Sequence, residues 1–447
     1  MPFLTKKRLA GLILLALILV LGAVVGHRLL RPKQPNVIML MLDTLRADHL
    51  SYFGYERETS PNIDAFARQS LAFKYAVATA PWTPSSVATM FTGMYASTHG
   101  MVPPSDRIAA KKNEYHLRHD LITLPEILKA HGYATFAISS NPWIGPTFGF
   151  EQGFDEFKTI WKARANKVTD EAIAALDKLQ QQSAPFFLYA HFLDPHNPYY
   201  PPPSYRQRFS GPLKFRNVDP ARIEALGLYD GEIAFLDHEL GRLFEYLKQK
   251  GLYDNTVIVV LADHGEQFME HGVTHHGKML HNEEIHVPMF FKIAQPPREV
   301  DYTVSLVDFL PTLLGVLKID PTPSLQGISL LDDENSRGRQ GVFSEIGRLA
   351  VYKAFTRYDG MKIIYNYGPP GSKPITPQTI QVFDARKDID EQTPLSDEAL
   401  VSSLKKQYQE LFATVVPMSS SGATPTEPVP EVADETLEQL KSMGYMQ

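Results

Sequence analysis

Cysteine is absent from this 447-residue chain. That excludes disulfides, thiolate metal sites and a cysteine nucleophile. It also suits a protein outside the cytoplasm without requiring one. Positive charge is not in excess: 44 Lys and Arg stand against 50 Asp and Glu, for a net charge of -6. Such a balance carries no electrostatic footprint for nucleic acid. No internal repeat is visible. One apolar run without charge, residues 9–26, is roughly long enough to cross a bilayer. Lys6, Lys7 and Arg8 precede it, and Arg28, Arg31 and Lys33 follow, so the positive-inside rule gives little asymmetry. Three readings are open: a cleaved signal peptide, an uncleaved anchor, and a core helix. Basic flanks on both sides argue against a core helix. Valine near residues 23–26 and the length of the run argue against cleavage. The expectation is a transmembrane anchor and linker over residues 1–33, with the catalytic body extracytoplasmic, in the periplasm or at the cell surface.

What remains is ordinary for a large globular protein: 44% hydrophobic and 21% charged residues. Its length predicts a large domain plus a smaller one. From residue 36, apolar strands alternate with helical stretches. Strands are predicted at 36–42, 133–139, 185–193 and 256–261. Helices are predicted at 62–70, with Ser60 as N-cap, and at 124–131, 165–181 and 229–250. The last of these places Ile233, Leu236, Leu240, Leu243 and Leu247 on one face. Alternating units of this kind imply an α/β fold, a mostly parallel sheet with helices on both faces, over residues 34–320. Past residue 320 come shorter strands, at 341–346, 352–358 and 361–365, and a helix at 396–414. These predict a small antiparallel α+β subdomain over 321–418. Residues 419–447 read as a flexible Ser/Pro/Thr-rich linker and a terminal helix.

Two of the buried-strand candidates end in metal-type ligands. NVIMLML runs into Asp43, and TVIVVL runs into Asp263-His264 through LADHGE. Open α/β sheets place ligands at the C-terminal ends of their strands, so one ion held between distant segments is the chemical reading. The plain alternative is loop-capping polar residues. A third segment, WTPSSVATMFTG at 82–93, offers Thr83 followed by Pro84. A hydroxyl at a helix start faces orphan N–H groups that favour an anion. Thr83 is therefore either a nucleophile or simply an N-cap.

Together these segments resemble the sulfatase family of the alkaline phosphatase superfamily. The resemblance rests on an ordered set: LDTLRADHLSYFGY, TSPNIDAFA, the stretch around Asn141 (SSNPWIGPTFGFEQGFD), FLDPHNPY, YDGEIAFLD, LADHGEQF, HGKMLHNEEIHVP, VDFLPTLL, LQGISL and the terminal LEQLKSMGY. It implies an alkaline-phosphatase-like fold and a metal-dependent hydrolase of phosphate or sulfate esters. Family sulfatases carry C/S-x-P-x-R, whose first residue becomes formylglycine. Here those positions are Thr83, Ser85 and Val87, and threonine cannot be oxidised to an aldehyde. Thr44 also stands where many sulfatases place a calcium-binding Asp. The set is similar to envelope phosphotransferases that use a threonine nucleophile, which makes transfer of a phospho-alcohol head group the alternative reading.

The resemblance assigns Asp43, Thr83, Asp263 and His264 to one divalent metal, with Mn or Zn favoured by the mixed O/N donors and Ca as the alternative. Thr83 becomes the nucleophile. His196 and His276 become leaving-group and oxyanion groups, Lys278 a neutralising cation, and Asn141 a substrate contact. Asp194, His196 and His276 offer a second metal site. His49, His116, His119 and His131 read as packing or surface residues, while His271 and His275 stay ambiguous. The implied partners are an anionic ester, of glycan or lipid, and a membrane through residues 9–26.

Overall fold

The computed structural model describes residues 34–103, 115–211, 213, 220–347, 350–370 and 376–415. The predicted membrane anchor, the linker after residue 418 and the terminal helix lie outside the described residues. No helix among the described residues is long and apolar enough to cross a membrane. The described chain belongs to one compact unit, Asn36–Gln447.

The strands are β1 (Asn36–Leu42), β2 (Leu71–Val77), β3 (Ala134–Ser139), β4 (Glu156–Thr159), β5 (Phe186–Phe192), β6 (Thr256–Ala262), the short β7 (Gln267–Phe268), β8 (Thr274–His275) and β9 (His286–Val287), then β10 (Met289–Lys292), β11 (Arg298–Ser305), β12 (Gly341–Gly347), β13 (Val351–Arg357), β14 (Met361–Asn366) and β15 (Thr379–Asp384). The main sheet runs β11-β2-β10-β6-β1-β5-β3-β4, with β9 on β2. It is parallel except at β10, which pairs antiparallel with both β6 and β2, and at β9, which pairs antiparallel with β2. The sheet is therefore mixed. The chain reverses at His286–Pro288 and returns beside β6, in a strand too short to announce itself.

Every residue of β1, β5 and β6 is buried, as their unbroken apolar runs require of strands covered on both faces. Each such side chain contributes about 1.5–3 kcal/mol when fully buried, and a slip of one residue would put the next polar residue into the core. Register is thereby fixed: Leu42 lies opposite Ala262 on one side and Phe192 on the other. The next residues, Asp43 and Asp263, emerge side by side.

The long helix spans Ile223–Gln249 and starts six residues before the predicted Tyr229. Gly227 hides that extension from propensity, yet a Cβ there would lie 2.7 Å from the Phe209 carbonyl, so close packing requires glycine. All five predicted face residues are fully buried. Ser60 precedes the helix Pro61–Ala67 without a side-chain cap; its hydroxyl binds Asp64 instead.

Strands β12–β15 form a second, antiparallel sheet. The helix Glu398–Val415 packs on it through Leu404 and Tyr408, against Phe343, Phe355 and Ile363. Two bonds tie this sheet to the segment leading into Thr83: Ser344 Oγ donates to the Ala78 carbonyl at 2.7 Å, and Glu345 N to that of Thr79 at 2.9 Å.

Candidate active site

The tips of β1 and β6 carry the centre. Asp43, Asp263 and His264 are fully buried, and one ligand atom from each lies within 4.8 Å of the others. Among the described residues no other group of three His, Asp or Glu meets this condition. Each carboxylate is held by one oxygen. Asp263 Oδ1 accepts the N–H groups of Thr44 (3.1 Å) and His264 (2.9 Å). Asp43 Oδ2 accepts Asn141 Nδ2 at 2.5 Å and faces His191 Nε2 at 3.1 Å. The other oxygens, Asp43 Oδ1 and Asp263 Oδ2, are buried without a hydrogen-bond partner. Burial, and then the charge of Asp263, holds the Asp43 carboxyl well above the usual carboxylate range. Buried, unsatisfied carboxylate oxygens are costly unless paired or metal-bound. The donor set therefore fits a divalent cation.

His264 completes this arrangement. Its Nδ1 donates to the Gly265 carbonyl at 2.9 Å, so Nε2 keeps its lone pair and points at the centre, as ligating histidines do. Thr83 Oγ1 lies 3.1 Å from that Nε2. The segment forms a helix, Thr83–Thr92, closed by Gly93 at φ 69°. Its N-cap is Trp82, so the N-cap reading of Thr83 is corrected: Thr83 is the first helical residue and its hydroxyl turns to His264. Ser86 Oγ donates to the Asp263 carbonyl at 2.7 Å and joins this helix to the tip of β6. Thr44 is left-handed at φ 56°, a conformation disfavoured for a β-branched residue. Its carbonyl is held by Tyr229 Oη (2.7 Å) and its N–H by Asp263.

The helper residues come from loops. His276 lies beside His264, with ring centres 4.4 Å apart, and His196 lies 5.0 Å from His276. His276 Nδ1 faces Glu266 Oε1 at 3.2 Å. Burial depresses the His196 imidazole to about 3. Lys278 Nζ donates to the Thr274 carbonyl at 2.6 Å. Asn141 is placed on Asp43, with its Oδ1 accepting Trp143 N. Asp194 pairs with Glu232, not with the two histidines proposed to share a second ion with it. Of the ambiguous histidines, His271 stacks on His281 at 3.6 Å and His275 is half-buried near Glu266.

Sequence reasoning missed His191. Its Nδ1 faces Tyr189 Oη at 2.7 Å, and burial lowers its ring to about 4. The neutral ring accepts from Tyr189 and donates to Asp43. The available signal was a Tyr-x-His pair inside an otherwise apolar strand. Arg46 was missed too: fully buried, it binds Asp48 through two bonds, Glu270 at 2.6 Å and the Glu266 carbonyl.

A mixed sheet that brings two carboxylates and an imidazole to the adjacent tips of β1 and β6, against the hydroxyl of a helix start, defines an α/β protein with a metal-type centre. The sequence profile of the Sulfatase family matches residues 35–319, and the chain belongs to that family. It is 24% identical to an arylsulfatase of Clostridium perfringens over 70% of this chain and 81% of that one. It is 26% identical to an ulvan-active sulfatase of Formosa agariphila over 67% of this chain and 65% of that one. Among solved structures it is similar in fold to the phosphonate monoester hydrolase of Agrobacterium radiobacter (TM-score 0.70, 20% identity, 88% of this chain and all of that one). It is also similar to a protein solved in complex with its substrate D-glucosamine-2-N,6-O-disulfate (TM-score 0.68, 19% identity, 92% and 99% covered).

Proposed function

We propose that this protein hydrolyses phosphate or sulfate esters through a covalent intermediate on Thr83, with phosphoryl groups preferred. The observation that carries the proposal is the Thr83 hydroxyl 3.1 Å from the free lone pair of His264, beside two buried carboxylate oxygens without hydrogen-bond partners. Asp43, Asp263, His264 and Thr83 would hold one divalent ion, Mn²⁺ or Zn²⁺ before Ca²⁺. When bound, the ion lowers the pKa of the hydroxyl and offsets charge on the transferred group.

The chain's own residues supply the rest. Thr83 Oγ attacks phosphorus or sulfur, its proton passes to solvent water, and the bond to the alcohol oxygen breaks. His276 delivers a proton to the departing oxygen and regains one from solvent, while His196, whose buried ring stays neutral, lies beside it. Water then attacks the threonyl ester, the bond to Thr83 Oγ breaks, and a proton of that water restores the hydroxyl. Lys278 neutralises a non-bridging oxygen. Asn141 and His191 orient Asp43. Phosphoryl preference follows from the nucleophile: a plain alcohol lacks the geminal diol by which formylglycine enzymes release sulfate. The name of the phosphonate monoester hydrolase supports this preference; the sulfatase relatives keep sulfate open. Residues 9–26 would anchor the catalytic unit to the membrane from outside, which carbonate extraction of membranes tests. The transferase alternative is not favoured: an Escherichia coli relative named as a transferase matches over only 42% of its length.

The test is turnover of aryl phosphate monoesters, diesters, phosphonates and sulfates with Mn²⁺, Zn²⁺ and Ca²⁺, comparing wild type with Thr83→Ala. Thr83-dependent phosphoester cleavage with Mn²⁺ or Zn²⁺ supports the proposal. Sulfate turnover alone, with Ca²⁺, removes the phosphoryl preference.

A further inference from the structure

A cavity of about 200 Å³ has His196 in its wall, and the ring of His196 lies beside that of His276, which lies beside His264. It is smaller than the pockets of about 300–1,000 Å³ that take drug-sized ligands, and so suits a single ring or a three-carbon unit. Lys162, Arg164, Asp194, His196, Tyr200 and Glu232 line it. Asp194 and Glu232 are 7% and 5% exposed, and their carboxyl groups face each other. Burial and the charge of Asp194 push the Glu232 carboxyl up to about 9. Tyr200 N donates to Glu232 Oε1 at 2.6 Å. Glu232 thus offers a donor beside the Asp194 acceptor. Against the pair stand Lys162 and Arg164, with Arg206 4.1 Å from the Tyr200 ring. Lys162 is left-handed at φ 51°, an unfavourable conformation for a long side chain. Its N–H binds the Ser140 carbonyl, and Ser140 Oγ binds the carbonyl of His191, which itself holds Asp43. The cavity wall is built onto the same strand tips as the centre.

We propose that this cavity receives the alcohol half of the ester, and that this alcohol carries both hydroxyls and a second anionic group. The inference rests on the reading of the centre as an ester hydrolase. The carboxyl pair both donates and accepts, which matches a hydroxyl; a lone carboxylate would only accept. Arg164, in reach of the same space, matches an anion. Two sources share this chemistry: an acidic sugar and a glycerol phosphate head group.

The test is calorimetric titration of the full Thr83→Ala protein with Mn²⁺ present. The probes are glucuronate, glycerol 1-phosphate, glucose and glycerol. At least one anionic probe is expected to bind about tenfold or more tightly than its neutral counterpart, and Arg164→Ala to remove that margin. A glucuronate margin alone identifies the sugar source; a glycerol phosphate margin alone identifies the head group. Lys162→Ala, on an exposed residue, gives a second reading should Arg164→Ala unfold. Equal binding of charged and neutral probes overturns the subsite, as does a margin that survives both substitutions. Thr83-dependent aryl ester turnover without any such margin leaves the centre standing and removes the subsite. Turnover indifferent to Thr83 removes the reading of the centre instead.

Discussion

The tips of β1 and β6 and the loop from Gly265 to His281 meet at one point but are supported in different ways. Asp43, Asp263 and His264 follow strands without an exposed residue, and backbone N–H groups or buried side chains fix one atom of each. His276 and Lys278 sit on a loop held by long side chains: Arg46 to Glu270, and Glu284 to the N–H groups of Lys278 and Met279. Groups that would bind an ion are set by the core, whose geometry cannot drift without loss of packing. Groups that would handle substrate are set by polar contacts and can move. Precision lies where the ion would bind, and adaptability where substrates differ.

Five experiments would break or sharpen that contrast. Thr83→Ala should lower kcat by about a thousandfold or more while leaving the melting temperature close to wild type, since only the nucleophile is lost; steady-state kinetics and a thermal melt check both. Arg46→Leu strands two part-buried carboxylates, Asp48 and Glu270, and should cost about 2–4 kcal/mol, read by urea unfolding; a smaller loss would mean that the loop does not depend on these pairs. Lys278→Ala should lower kcat by about ten- to a thousandfold at nearly unchanged stability. His191→Phe should weaken Mn²⁺ or Zn²⁺ binding by about 10–100-fold, measured by metal titration with a fluorescent competitor. An unchanged affinity would show that Asn141 alone positions Asp43.

Glu232→Gln should give the smallest effect, one that depends on pH. The folded carboxyl titrates near 9, above its ordinary 4.5. The native state therefore holds that proton where the unfolded chain has lost it, and stability falls as pH rises from the lower value towards the higher. Glutamine removes the proton but keeps a donor for Asp194. The variant should gain on the order of 1–2 kcal/mol relative to wild type at pH 8 and little at pH 5, read by melts at the two values. Equal shifts at both would show that Glu232 holds no such proton.

Much of this was legible because burial and strand ends leave marks in a sequence. Uninterrupted apolar runs placed β1 and β6 within a residue, and each led directly to its ligand. Thr83 was legible as an alternative to a cap, and the cap falls because Trp82 holds that position. His191 and the role of Asn141 depend on β5 lying beside β1 and β3 beside β5, a lateral order that no local pattern encodes. β10 was missed because four residues carry too little periodicity, and its reversal makes the sheet mixed. The Asp194–Glu232 pair was hidden for a similar reason: each reads as an ordinary polar residue until a loop and a long helix bring them together.

The most direct test of the account is acid quench of the enzyme with Mn²⁺ and excess aryl phosphate, followed by peptide mass spectrometry. A phosphoryl group on Thr83 that accumulates during turnover and is lost on chase with unlabelled buffer is the expected result. Turnover with Thr83 unmodified at every time point, or with the adduct on another side chain, would contradict it.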